Sequence, residues 1–479
     1  MMRMTARLML ILLISGTVSS AWAQKSELAQ SIQRRDAETW TVAKRIWELA
    51  EPGYQETESS KLLATELENA GFKLTRGVAD IPTAFVAEFG TGQPVIGVLG
   101  EFDALPGMSQ EAVPYRQPRE KQDYGHACGH HLFGTAAMSA SIAIAEQIKA
   151  GKLKGTVRFY GCPAEEGGSG KVFMARAGLF RDCAAALHWH PSAENSAGDR
   201  TTLARIAVKF QFTGKAAHAA GSPEKGRSAL DAVEITNFAS ELLREHTPDF
   251  TRIHHVITSG GRAPNVVPEF AEVYYYVRHP DGDIVKKVYE RLVKCAEAGA
   301  LATDTKLTTL FEGGTREILP NNALAQVSLK NLRELNDLTY SKEETEFALK
   351  LRDSLEDQPS LDRIKQVEDR SGSTSKGSTD VGDVSWIVPT TGFSTCCYVP
   401  GTPAHSWQAV ASSGTTIGRK GANLAARVLA ATAWDLMTQP GVLKEAKAEL
   451  DRRIGQRKYE SLVTPHQKPP LDYRKNTRE

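Results

Sequence analysis

A mostly parallel α/β domain interrupted by an inserted α+β domain is the architecture this sequence predicts, and three observations predict it. Up to residue 205, short wholly apolar runs alternate with helical stretches, as in parallel sheets buried on both faces. At 206 the pattern changes to single apolar residues alternating with polar or small ones, the mark of a strand with one face exposed. After 315 the first pattern returns, and 479 residues exceed what one hydrophobic core usually supports.

The elements follow in order. Arg3 and Arg7, the apolar run Leu8 to Ile14 and the small-residue site Ala21-Trp22-Ala23 have the three parts of a cleavable signal. Residues 1–23 are therefore expected to be removed, and the chain to reside in the periplasm or outside the cell. That run is too short to cross a bilayer, and no later stretch reaches the roughly 20 apolar residues of a spanning helix.

Residues 24–205 form the first part of the larger domain. Lys61, Glu66 and Glu68 stand between leucines at helical spacing. Val95 to Leu99 reads as a buried strand that releases Gly100-Glu101-Phe102-Asp103-Ala104-Leu105-Pro106-Gly107. An alanine-rich helix is predicted over 132–150 and a strand over 156–160, followed by Pro163-Ala164-Glu165-Glu166-Gly167-Gly168. A third run, 184–187, is closed by His188-Trp189-His190-Pro191. Three strand ends thus carry polar residues to the edge where open α/β sheets bind ligands.

In the inserted domain, 206–315, Ile206, Val208, Phe210 and Phe212 mark the first strand. A helix is predicted over 229–245, strands over 253–259 and 271–278, a helix over 284–299 and a strand over 306–312. This β-α-β-β-α-β order is a split βαβ, ferredoxin-like unit. The larger domain resumes over 316–440. A charged tail, 441–479, is expected to form a surface helix and then fray.

Charge is balanced: Lys plus Arg total 58 against 57 acids, and loss of Arg3 and Arg7 leaves 56 against 57. Such a surface argues against nucleic acid or a membrane as partner. The six cysteines are scattered and read as small buried hydrophobes, with Cys128 the exception.

Cys128 stands in Gly125-His126-Ala127-Cys128-Gly129-His130-His131, where a thiolate and an imidazole two residues apart can bind a divalent ion. One such pair equally suits a packed thiol, so other ligands are needed. Glu165 and Glu166 can divide the work, one binding metal while the other takes a proton from metal-bound water. His188 and His405 are further candidates, and His190 competes with His188.

These segments, with GKAAHAAGSP (214–223), APNVVPE (263–269), STDVGDVSW (378–386) and GTPAHSW (401–407), occur in the order of the aminoacylase and hippurate-hydrolase metallopeptidases, whose amidohydrolase branch the chain resembles up to about residue 437. The resemblance implies that Cys128, His130, Glu166, His188 and His405 hold two divalent metals, zinc or manganese with cobalt or nickel as alternatives, and that the thiolate bridges them. The family spacing to Pro191 favours His188 over His190. By the same resemblance Glu165 is the general base, and His218 reaches the partner subunit's site to stabilise the oxyanion. Asn265 and Arg278 would engage the substrate's carboxylate end. A homodimer or heterodimer through the inserted lid is implied.

In one place the chain departs from the family: His131 stands where an aspartate usually follows the Cys-Gly-His ligands, which leaves the support of His130 open. Asp103 and His126 are expected to support rather than ligate. Tyr274, Tyr275 and Tyr276 are read as sheet formers, and His254 and His255 as surface or packing residues. The implied activity is hydrolysis of an N-acyl or N-aroyl amino acid, with p-aminobenzoyl-glutamate or a similar folate fragment favoured. An exported dipeptidase or carboxypeptidase and a non-catalytic metal-dependent binding protein are the alternatives.

Overall fold

The structure is a computed structural model that describes residues 25–475; the signal-like segment, residues 1–23, lies outside the described residues. Two sheets organise it. The larger is eight-stranded, built from β1 (Lys73–Arg76), β2 (Phe85–Thr91), β3 (Val95–Glu101), β4 (Gly155–Cys162), β5 (Ala185–Ser192) and β6 (Asn195–Ala197), joined late in the chain by two more strands. Between them lies the smaller sheet of β7 (Ala204–Thr213), β8 (Arg252–Ser259), β9 (Phe270–His279) and β10 (Lys306–Thr315). The two late strands are β11 (Val367–Asp369) and β12 (Thr390–Cys396).

In order across the large sheet the strands are β1, β2, β4, β3, β5, β12, β6, β11. The central strands β4, β3, β5 and β12 are parallel, which accounts for their unbroken apolar runs: every residue of β3 is buried. The β1–β2 ribbon and the β12–β6 pairing are antiparallel.

Helices cover both faces. Those of the first part are α1 (Asp36–Leu49), α2 (Thr57–Asn69), α3 (His130–Lys149) and α4 (Gly170–Arg176). The small domain contributes α5 (Ala229–Arg244) and α6 (Gly282–Thr303). After it come α7 (Asn322–Leu335), α8 (Lys342–Arg352), α9 (Val381–Ser385), α10 (Trp407–Ser413), α11 (Thr416–Thr438) and α12 (Pro440–Ile454). α3 is buried along nearly its whole length, which its run of Ala, Ser and Gly permits. A Cβ at Gly134 would stand 2.7 Å from the Glu101 carbonyl oxygen, so this helix approaches β3 through a glycine. Below it Trp189 is fully buried and donates to the Phe133 carbonyl at 3.1 Å.

The small sheet runs β10, β7, β9, β8, antiparallel throughout. Its alternation works as strand geometry requires. Ile206, Val208, Phe210 and Phe212 of β7, with Val273, Tyr275 and Val277 of β9, form a core with α5 and α6. Each helix starts on a side-chain cap, Ser228 accepting from Asp231 and Asp281 from Asp283 and Ile284. The intervening residues, Arg205, Tyr274, Tyr276 and Arg278 among them, occupy the face away from these helices.

The tail departs from expectation. After α12 the chain does not fray by residue 475 but lies back over the junction of the two domains. Leu462 enters the small domain's core, while Val463 packs in a core beneath the glutamate loop. Arg176 donates to the carbonyls of Thr464 and Gln467, and Gln467 to that of Phe311. Apolar anchors at wide intervals carry no periodicity, so composition alone disguised the segment as solvated chain.

Candidate metal centre

The carboxyl ends of the central strands and one late loop meet at a cavity of about 1240 Å³. Cys128 closes the loop before α3, and His130 is that helix's first residue. Gly129 between them has φ 71°, and a Cβ there would fall 2.7 Å from the Tyr398 hydroxyl, so the turn depends on glycine. β4 runs into the loop with Glu165 and Glu166. His405, from the loop before α10, has φ 56° and is held through its amide by the Ala127 carbonyl at 3.2 Å.

Two triads share one sulfur: Cys128, His130 and His190 form one, and Cys128, Glu166 and His405 the other, with the potential ligand atoms of each within 4.8 Å of one another. Cys128 Sγ lies 3.3 Å from His190 Nε2, and His405 Nε2 lies 3.3 Å from Glu166 Oε1. His130 Nε2 is 3.2 Å from Glu101 Oε2. Yet the buried His130 Nε2 and Glu166 Oε1 make no hydrogen bond. Each stands close to other potential ligand atoms without bonding to them, an arrangement that a cation would satisfy. Thiolate, imidazole and carboxylate donors fit divalent ions, and Cys128 is common to both triads.

The two glutamates differ in proton affinity. Burial raises Glu166, but the close His405 imidazole and the His130 charge overcome it and bring the carboxyl to about 2. Its neighbour goes the other way: burial, Glu101 and Glu166 hold Glu165 well above the usual carboxylate range. Adjacent carboxyls with opposed proton affinities suit a ligand beside a proton carrier. Burial and Glu166 raise the Cys128 thiol, while His190 and His130 outweigh them and bring it down to about 6.

Supporting contacts fix the cluster. Asp103 Oδ1 stands 2.9 Å from His130 Nδ1, and its other oxygen accepts the Glu166 amide at 2.9 Å. One carboxylate thus braces a ligand of each triad, which answers the question left by His131. That ring turns away, with Nε2 3.2 Å from the Ser413 carbonyl, and His126 lies against the Ile46 carbonyl. Behind the cluster Lys171 is fully buried, its Nζ 2.7 Å from both Glu101 and Asp380. Burial lowers its proton affinity, but the two carboxylates hold the ammonium charged.

Of the predicted ligands, Cys128, His130, Glu166 and His405 come together, and His188 does not. His190 takes its place. Both rings lie on one face of β5 because they are two residues apart, and the one nearer the strand's carboxyl end reaches Cys128. His188 instead lies over Gly392 of the neighbouring β12, where an added Cβ would be 2.1 Å from its Nε2.

The small domain divides its residues. Arg278 and Tyr276 line the cavity, so Tyr276 does more than form sheet, whereas Tyr275 is buried in the core. His218 and Asn265 lie instead on neighbouring backbone segments, linked by the bond from the Ala219 amide to the Asn265 carbonyl at 3.0 Å, and both are exposed outside this cavity. His218 Nδ1 accepts from the amides of Ala220 and Gly221, which leaves Nε2–H pointing outward as a donor. His254 and His255 lie on β8, the exposed edge of the sheet. Val256 of the same strand and Phe238 and Leu242 of α5 are exposed apolar side chains.

Glu101, Lys171 and Asp380 were missed as a group. Each lies in or beside a motif, but a buried charge that is paired inside a core has no signature in sequence.

A peptidase dimerisation domain model matches residues 203–304, the span of most of the small domain. One of the subunits of p-aminobenzoyl-glutamate hydrolase from Escherichia coli (strain K12) is 41% identical over 437 residues, covering 85% of this chain and 91% of that one. An Xaa-Arg dipeptidase of Mus musculus is 28% identical, covering 92% and 95%. A dinuclear metal binding peptidase of the M20 family from Bacillus subtilis superposes with a TM-score of 0.53 at 19% identity, covering 83% and 99%.

Proposed function

The chain belongs to the M20 metallopeptidase family, in its aminoacylase and amidohydrolase branch, and on that premise we propose that it hydrolyses an N-aroyl amino acid, with p-aminobenzoyl-glutamate favoured. It is a metal-dependent amidohydrolase acting on a small N-acyl amino acid, and it dimerises through the small domain. The observation that carries the finer reading is the pair of triads sharing Cys128, with Glu165 protonatable beside them.

In this reading Cys128, His130, Glu166, His190 and His405 would hold two zinc or manganese ions, which would polarise the amide carbonyl and acidify water there. Glu165 takes the proton of the attacking water and delivers it to the leaving nitrogen. Asp103 and Lys171 keep the surrounding side chains from rearranging as charge moves. His218 Nε2–H would serve the tetrahedral oxygen of the partner subunit's site, with Asn265 beside it. Arg278 receives the substrate carboxylate. The basic, apolar and small-residue parts of residues 1–23 support export, which sequencing the amino terminus of the secreted protein tests.

A dipeptidase is the second reading, favoured by likeness to the Xaa-Arg enzyme over nearly the whole chain. The arginine-rich cavity opposes a cationic residue at that position. Turnover of N-aroyl glutamates by protein loaded with zinc or manganese tests the proposal. Hydrolysis of dipeptides alone would replace it with the second reading.

A further inference from the structure

Four arginines face the cavity with their Nε atoms buried and without a partner: Arg200, Arg205, Arg278 and Arg474. Cavity carboxylates that could have neutralised them are engaged elsewhere, Glu194 with Arg370 and Asp199 with Arg453. Arg205 is only 8% exposed. A buried guanidinium N–H left unsatisfied is costly unless a ligand completes it.

Two of them flank one ring, and Arg474 lines the same cavity. The guanidinium carbons of Arg205 and Arg278 lie 4.9 and 5.3 Å from the centre of the Tyr276 ring. Arg474 acts on the same phenol: burial raises Tyr276, yet Arg205, Tyr274, Arg278 and Arg474 together hold it below its ordinary value. Arg474 comes from the carboxy-terminal segment, where it donates to the Glu166 carbonyl at 2.9 Å. Tyr473 donates to that carbonyl at 3.2 Å and packs edge-on against Tyr54. A Cβ at Gly53 would stand 2.3 Å from the Tyr473 hydroxyl, so the strap is seated closely.

One carboxylate is satisfied by one bidentate guanidinium, a part the family resemblance gives to Arg278. Arg205 and Arg474 exceed that need. We propose that Arg205 and Arg474, beside Arg278, bind a second carboxylate on the substrate, so that the enzyme selects conjugates of an acidic amino acid and its carboxy-terminal strap is part of the active site. The inference rests on the amidohydrolase reading above, since it concerns the same cavity.

Metal-loaded Glu165→Gln protein, which retains the site without turnover, is titrated calorimetrically with N-benzoylglutamate and its neutral analogue N-benzoylglutamine. The glutamate conjugate is expected to bind on the order of tenfold more tightly or better. Adding Arg474→Gln, or Arg205→Gln should the first variant misfold, collapses that preference toward unity. Equal affinities in the parent, or a preference undiminished in both variants, overturn the proposal. Turnover of the two conjugates by wild-type enzyme is a separate measurement: tight, charge-selective binding with no hydrolysis would defeat the amidohydrolase reading and leave the anion site standing.

Discussion

His130 in the larger domain and His218 in the small one are held in opposite ways. The first is fully buried, with Asp103 2.9 Å from one ring nitrogen and Glu101 3.2 Å from the other. The second is exposed, and only two backbone amides fix its ring. Burial with supporting carboxylates sets a ligand's position before any ion or substrate arrives. A ring held through one nitrogen, with the other free to donate, is only partly positioned by its own segment. The contrast separates a ligand that one subunit positions alone from a residue whose service to the partner subunit is a proposal to be tested.

Glu165→Gln should have the largest effect, lowering kcat by about 10²–10⁴ while bound metal, measured by elemental analysis, stays at the wild-type level. Loss of metal together with activity would mean that Glu165 ligates rather than carries a proton, and the division between the glutamates would fail.

Lys171→Met tests the preparation itself. It leaves Glu101 and Asp380 buried without their cation, and a loss of about 3–5 kcal/mol in denaturant unfolding is expected. A loss under about 1 kcal/mol would show that water or rearrangement satisfies the two carboxylates, and that the cluster is less rigid than its burial suggests.

The other side of the contrast is read by complementation. His218→Ala and Glu165→Gln are each expected to be nearly inactive, but dimers formed by mixing them contain one site with both native residues. Random exchange should restore roughly a quarter of the wild-type activity. No recovery in verified mixed dimers would place His218 in service of its own chain.

A smaller effect is expected at the domain junction. Burial lifts the Asp383 carboxyl to about 7, against the bonds it accepts from the Arg316 amide and the Tyr459 hydroxyl, both at 2.8 Å. Its folded value lies above the unfolded one, so the stability it contributes is present in full below about pH 4 and is lost as pH rises through about 7. Asp383→Asn should flatten that decline in unfolding measurements at pH values on either side. Parallel pH profiles for the two proteins would remove Asp383 from the account.

Much of this was legible in the chain. The unbroken runs of β3 and β4, the alternation of β7 and the order of the small domain's elements depend on short-range periodicity, which sequence carries directly. So do Cys128 and His130, placed at the start of a helix by the glycine between them, and the adjacent glutamates, whose loop follows a buried strand.

His188 and His190 mark the limit. A strand's period of two puts both on one face, and which ring reaches Cys128 depends on how far β5 extends beside β12. The strap marks it again: Arg474 meets the Glu166 carbonyl across 308 positions of chain, through anchors with no common spacing. Sequence by itself determined the strands, the ligand types and the inserted domain, because those arise from neighbours along the backbone. Tertiary structure alone decided which histidine completes the cluster, which charges pair behind it and where the tail returns, because those depend on distances between segments that no local pattern encodes.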